Sequence, residues 1–166
     1  MNWTLVLHGG CGAMRPATLS PEHEAQARAG LNAALDAGEK MLAGGGSALD
    51  AVEAAARVLE EDPSFNAGRG SVLTVDGQAE LDAAIMDGRD RRAGAVAGMT
   101  TTRAPVSAAR AVMEHSPHVL LTYAGADIFA REQGLEQVEN AFFVTPRAAG
   151  PARQSDGRRR QIRHRH

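Results

Sequence analysis

The spacing of apolar positions changes several times along this chain, and each change marks an element. A short, mostly apolar run at residues 3–7 stops at His8-Gly9-Gly10-Cys11-Gly12, which predicts a short buried strand ended by glycines. Ser20-Pro21 opens a helix, with Ala27, Leu31, Ala34, Leu35 and Leu42 along one side and Gly44-Gly45-Gly46 as its stop. Ser47 caps a second helix, where Asp50 stands in the capping-box position and Leu49, Val52, Ala56 and Leu59 form the expected inner face. The spacing then shortens. Segments 72–75, 79–86 and Ala93–Met99 read as strands joined by the turn signals Asp76-Gly77 and Asp87-Gly88-Arg89-Asp90, an antiparallel meander. The last of these, Ala-Gly-Ala-Val-Ala-Gly-Met, is small and apolar on both faces and suits a strand buried between layers. Pro105 begins a third helix through residue 114 with Val106, Ala109 and Val112 inward; a brief extended run at 119–121 and a fourth helix over about 124–133 follow. Phe142-Phe143 is the last apolar anchor, and after Pro146 the periodicity vanishes. The order of helices and strands predicts a layered α/β or α+β domain.

Composition and charge divide the chain in two. Residues 1–146 carry eleven basic and nineteen acidic side chains; from Arg147 onward there are seven arginines and one aspartate. The first part is read as one domain and residues 147–166 as a basic, disordered tail. Arginine-rich tails can neutralise nucleic-acid phosphates, but this one has no interleaved aromatics and no recognition fold beside it, so nucleic acid is not the expected partner. Cys11 is the only cysteine, which excludes an intrachain disulfide and a cysteine-based zinc site. No apolar run reaches the length of a membrane span, and the start lacks a signal-peptide pattern, so a cytoplasmic protein without membrane partners is expected.

Several groups invite a chemical reading. His8 sits between a strand and two glycines, a place where single histidines are mostly structural. Gly44-Gly45-Gly46-Ser47 at a helix start resembles a phosphate cradle, yet it follows a helix and lacks the lysine of a P-loop. Glu80 and Asp82, two apart on a strand, could act as paired carboxylates, though a solvated or salt-bridged face is the commoner outcome. The richest stretch is Leu59-Glu60-Glu61-Asp62-Pro63-Ser64-Phe65-Asn66-Ala67-Gly68-Arg69-Gly70-Ser71. It starts as the end of a helix and continues as a compact turn, with one proline, one buried aromatic candidate and two glycines. Such a turn can aim several backbone carbonyls at one point and hold one side-chain amide, Asn66, in place.

Taken in order, His8-Gly9-Gly10-x-Gly12, Ser47-Ala48-Leu49-Asp50-Ala51-Val52, Leu59-Glu60-x-x-Pro63-x-Phe65-Asn66-Ala67-Gly68-x-Gly70-Ser71-Val72, Glu80-Leu81-Asp82-Ala83 with Met86-Asp87-Gly88, Gly94-Ala95-Val96, Val112-Met113-Glu114 and Pro117-His118-Val119 resemble one family. This is the α subunit of the plant-type L-asparaginase/isoaspartyl peptidase family of N-terminal-nucleophile hydrolases, and the match covers about residues 3–145. The resemblance implies the α-subunit half of a four-layer αββα sandwich in an (αβ)2 assembly. It implies hydrolysis of L-asparagine or β-aspartyl dipeptides by a threonine freed at the N-terminus of a β subunit when the precursor cleaves itself before a Gly-Thr-Val threonine. That threonine's own amine can act as base for its hydroxyl. The resemblance also implies a structural sodium ion on the main-chain carbonyls of Leu59, Glu60, Asp62, Phe65, Ala67 and Arg69, and no organic cofactor. Asn66 is placed near the nucleophile, with His8, Gly9 and Gly10 in a loop near the same centre. Cys11 departs from the alanine common there.

No Gly-Thr pair occurs in these 166 residues, so this chain by itself is expected to be inactive. The rival reading is a truncated, non-catalytic remnant or partner-binding fragment. Read one base later, codons that can encode Gly157 to His166 can spell acidic residues, then Arg or Lys, Tyr, Gly, Thr and Val, which resembles the family's cleavage segment and suggests a frameshifted linker. The likeness ends there, because His166 cannot supply the glycine that usually follows.

Overall fold

The computed structural model describes residues 2–9 and 20–146. Helix α1, Pro21–Ala43, begins where the Ser20 side chain accepts a hydrogen bond from the His23 N–H, and helix α2, Ala48–Glu61, begins at a complete capping box between Ser47 and Asp50. The two helices pack on each other. Their contact faces differ from the predicted stripes: α1 buries Ala27, Gly30, Ala34 and Gly38, and its leucines are only half-buried. On α2 the buried residues are Leu49, Ala51, Ala55 and Glu60, whereas Val52, expected inward, is exposed. Small side chains let the two backbones come close, so the larger residues straddle the edges of the contact.

Strands β1, Leu81–Met86, and β2, Ala93–Met99, form an antiparallel hairpin with Ala83 opposite Val96 and Ile85 opposite Gly94. Helix α3, Pro105–His115, crosses over to β3, Leu120–Thr122, which lies parallel to β2. Helix α4, Tyr123–Glu132, follows at once. The sheet order is β1-β2-β3. The expected three-stranded meander is therefore corrected. Segment 72–75 is reduced to a single bridge, Leu73 to Ala79, around the Asp76-Gly77 turn, and the next strand starts at Leu81 instead of residue 79. The expected strand at 3–7 is also absent; this segment has no ladder partner among the described residues, with Trp3 and Val6 exposed.

Helix α3 lies against β1 and β2, and α4 against β2 and β3. Beneath them Ile85, Val96, Met99, Val112, Ala126, Ala130 and Phe143 form the main core. Val106, Ala109 and Val112 are buried as expected, and so are Pro105, Ser107, Ala108, Ala111 and Met113 of α3. The described part is thus a mixed α/β domain with four helices and one small sheet, compatible with α+β. No helix among the described residues is long and apolar enough to cross a membrane. The basic tail lies outside the described residues.

Candidate active-site turn

The turn after α2 is assembled from four directions. The helix ends because Pro63 has no N–H to offer the carbonyl of Leu59, which would otherwise accept it. The Asp62 carboxylate then accepts the Ser64 N–H at 2.8 Å, and the Asp62 carbonyl accepts the Phe65 N–H at 3.2 Å. These bonds turn the chain and bury Phe65, which is 4% exposed. The backbone returns to the helix end through the Arg69 N–H, which donates to the Glu60 carbonyl at 2.7 Å. Gly68 and Gly70, at φ of 46° and 97°, make this closure possible. A side chain at Gly68 would collide with the Glu60 carbonyl, and one at Gly70 would come within 2.6 Å of the Pro63 carbonyl and 2.9 Å of that of Phe65.

Asn66 is held at the rim. Its Oδ1 accepts the Val72 N–H at 2.8 Å, and the residue is exposed. The bond fixes the amide against the chain leaving the turn, and its –NH2 finds no partner among the described residues.

Gly9 meets the same turn from the N-terminal segment: a side chain there would strike Leu31 at 2.8 Å and the Phe65 ring at 2.9 Å. From α1, Gly30 approaches Asp62 and the far edge of the same ring. The structure thus brings Gly9 and the Asn66 turn together around Phe65. His8 is exposed and has no hydrogen-bond or ion-pair partner among the described residues. Gly10 and Cys11 lie outside the described residues.

Glu60 is the least expected member. It is 7% exposed, and its Oε1 accepts the Val106 N–H at 2.9 Å, capping α3 from a different helix. Ala104, the residue before that helix, makes no side-chain cap. Burial pushes the Glu60 carboxyl up to about 8, against the opposing pull of the Val106 N–H and of Arg57. The spacing puts Glu60 at the edge of the apolar stripe, four residues after Ala56, where a glutamate ordinarily reads as solvated.

A second layer backs the turn. The Gly70 N–H donates to the Phe143 carbonyl at 3.2 Å, and Phe143 is fully buried. Phe142 packs edge-on against Phe143, with ring centres 5.3 Å apart. The guanidinium groups of Arg69 and Arg103 lie 5.2 Å and 5.0 Å from the Phe142 ring centre. Arg103 is also anchored by Glu61 at 2.7 Å and Glu136 at 2.8 Å.

The other sequence candidates serve the fold. The Asp82 carboxylate accepts the Gly98 N–H at 2.8 Å beside a register shift in the hairpin, and Glu80 is exposed. Gly44-Gly45-Gly46 is an interhelical turn whose N–H groups donate to the end of α1. A more ordered carboxylate is Asp127 on α4, which accepts the backbone N–H groups of Thr100, Thr101 and Thr102 and the hydroxyls of Thr100 and Thr102. Burial works to raise its pKa, but these donors outweigh it and hold the carboxyl below the usual range.

For a metal, the side chains offer little: among the described residues no group of three His, Cys, Asp or Glu is placed to hold one. The backbone offers more. The Leu59 carbonyl has lost its helical donor to Pro63, while those of Glu60 and Phe65 crowd Gly68 and Gly70 inside the turn. The Glu60 and Asp62 carbonyls each accept one N–H and keep a second lone pair. Uncharged oxygens in this arrangement fit a hard monovalent cation better than a transition metal.

A profile of the asparaginase family matches residues 1–164. A putative isoaspartyl peptidase/L-asparaginase of Dictyostelium discoideum is 51% identical over 141 residues, 85% of this chain and 41% of its own length. The isoaspartyl peptidases of Salmonella typhimurium and Escherichia coli K12 are 50% and 49% identical over 86% and 85% of this chain, and 45% and 44% of theirs. The chain spans less than half the length of these relatives. On the extent and identity of these matches it belongs to the plant-type isoaspartyl peptidase/L-asparaginase family.

Proposed function

We propose that this chain supplies the α part of a hydrolase that cleaves the side-chain amide of L-asparagine or the isopeptide bond of β-aspartyl dipeptides. Its nucleophile is a threonine at the start of a β part that lies outside these 166 residues. The observation that carries the reading is the Asn66 turn, in which an exposed amide is fixed by the Val72 N–H on a support closed by Arg69 and packed against Gly9.

In this reading the threonine hydroxyl attacks the substrate carbonyl with the threonine amine as base, and the donors for the oxyanion come mainly from the β part. This chain's contribution is positional. Asn66 stands beside the attacking oxygen and the scissile bond, and the loop of His8, Gly9 and Gly10 lines the same centre. A sodium ion on the carbonyls of Leu59, Glu60, Asp62, Phe65, Ala67 and Arg69 would stiffen the turn. Because main-chain oxygens do the holding, side chains such as Arg69 are left for other contacts.

The sheet supports a larger assembly of (αβ)2 type. One face is covered by α3 and α4, while the other bears Ala84, Met86, Ala95 and Leu120 in cross-strand register, with Met86 60% and Leu120 52% exposed. Trp3, Val6, Val72 and Val75 are exposed apolar residues on the unpaired segments. A second sheet from the β part would cover such a face and complete an αββα sandwich. The rival reading is a truncated, non-catalytic remnant or partner-binding fragment of the same family.

Ammonia release from L-asparagine and cleavage of a β-aspartyl dipeptide should be measured for this chain alone and with a family β subunit supplied in trans. The expected result is activity only in the second case. Hydrolysis by the lone chain would overturn the reading, and an assembled but inactive pair would favour the fragment.

A further inference from the structure

We propose that Phe142 is a positioning residue for Asn66, acting by holding the Arg69 guanidinium against its ring; the inference rests on the role proposed for the turn. The path is short. Asn66 is fixed by the Val72 N–H, and Val72 follows Arg69, Gly70 and Ser71 in the returning limb of the turn. Besides its internal bond from the Ser71 N–H to the Gly68 carbonyl, that limb has three ties to other parts of the described chain: the Arg69 N–H to the Glu60 carbonyl, the Gly70 N–H to the Phe143 carbonyl, and the Arg69 side chain on the Phe142 ring.

The third tie is the one that side-chain chemistry controls. Arg69 forms no ion pair among the described residues, and its Nε is buried with no hydrogen-bond partner there. What remains to hold the guanidinium is the negative face of the ring. Phe142 is itself held, edge-on by the buried Phe143 and by the guanidinium of Arg103. Arg103 is in turn fixed by Glu61, next to the start of the turn, and by Glu136. The ring therefore joins the two limbs of the turn: Arg69 on the returning limb and, through Arg103, Glu61 on the outgoing one. Phe142 is half-buried, so replacing it need not open the core.

A ring needed only for bulk and a ring needed for its π face respond differently to substitution. Phe142→Leu keeps apolar volume and removes the face; Phe142→Tyr keeps the face. Amide hydrogen exchange should be followed at Gly70, Ser71 and Val72, with Val112 of α3 as an internal reference. In Phe142→Leu the turn amides should exchange on the order of tenfold faster while Val112 is unchanged, and Phe142→Tyr should match the parent. Arg69→Gln, which removes the cation without touching the ring, should reproduce the Leu variant. Unchanged turn exchange in Phe142→Leu, equal loss in the Leu and Tyr variants, or a parallel rise at Val112 would each overturn the proposal. In an active assembly with a β subunit, Phe142→Leu should lower kcat with KM unchanged. Should the parent assembly prove inactive, the proposed activity fails while the exchange comparison still decides the coupling.

Discussion

On one face of the sheet Leu81, Ala83, Ile85, Val96 and Leu121 sit under α3 and α4; on the other Ala84, Met86, Ala95, Leu120 and Thr122 remain exposed or half-exposed. Both faces are apolar or small. The alternation of apolar and polar residues that normally tells an inner face from an outer one is therefore weak, and in β2 it is missing altogether. What separates the faces is supply: the chain returns two helices to one side and none of its described helices to the other. In the assembly proposed above, this open apolar face is the one that a β part would cover.

The largest effect expected is at Gly94, where a new side chain would run into the backbone of α3 at Ala109 and Met113. Gly94→Val should cost about 3 kcal/mol or more and leave little folded chain, as read by circular dichroism and urea unfolding. Next, Ile85→Ala on the covered face should cost about 2–4 kcal/mol, whereas its neighbour Met86→Ala on the open face should change stability by less than about 0.5 kcal/mol. Equal costs at the two positions would break the comparison. Asp127→Ala should cost about 2–3 kcal/mol, because three threonine N–H groups that close the edge of the covered face lose their acceptor.

A control away from the sheet is the capping box. The Ser47 hydroxyl and N–H, with Arg110, hold the Asp50 carboxyl at about 2, below its ordinary 3.8. A depressed carboxylate contributes stability that is present above pH 4 and lost as the pH falls through 2. Ser47→Ala should thus cost about 1 kcal/mol at pH 7, allowing for solvent screening, and its deficit should shrink as the pH falls through 2, to the part due to the Asp50 N–H on the Ser47 hydroxyl, in urea titrations across that range. The smallest effect on folding belongs to Ala84→Asp, within about 0.5 kcal/mol in the isolated chain. The same substitution should abolish binding of a β subunit in sedimentation. If association persists, the open face is not the docking surface.

Much of the fold was readable in advance where local chemistry acts alone. Ser20, Ser47 and the glycines after Ala43 mark helix ends, since capping needs only neighbours in sequence. The hairpin β1–β2 and the helix from Pro105 also follow from spacing and turn residues. The expected strands at 3–7 and 72–75 fail for one reason: a strand exists only with a partner ladder, and among the described residues 3–7 finds none while 72–75 finds only the single bridge from Leu73 to Ala79. The inner face of α2 fails for another. Its apolar period is right, but Ala51 and Ala55 fit closer to α1 than Val52 does. In the candidate site, the motif around Asn66 and its glycines was legible. The roles of Gly30, Glu60, Arg103 and Phe142 were not, because each depends on a contact from a distant part of the chain.

By itself the sequence determined the helix boundaries, the glycine-closed turn, the position of Asn66 within it and the family to which the chain belongs, all of which rest on residue identity and short spacing. Only the tertiary structure decided that a buried glutamic acid caps α3, that Gly9 and Gly30 close on Phe65, and that the Phe142 ring ties the two limbs of the turn. It also decided which face of the sheet stays open. Burial, close approach and the pairing of distant groups are properties of the packed chain, and the same residue types would read alike in any other packing.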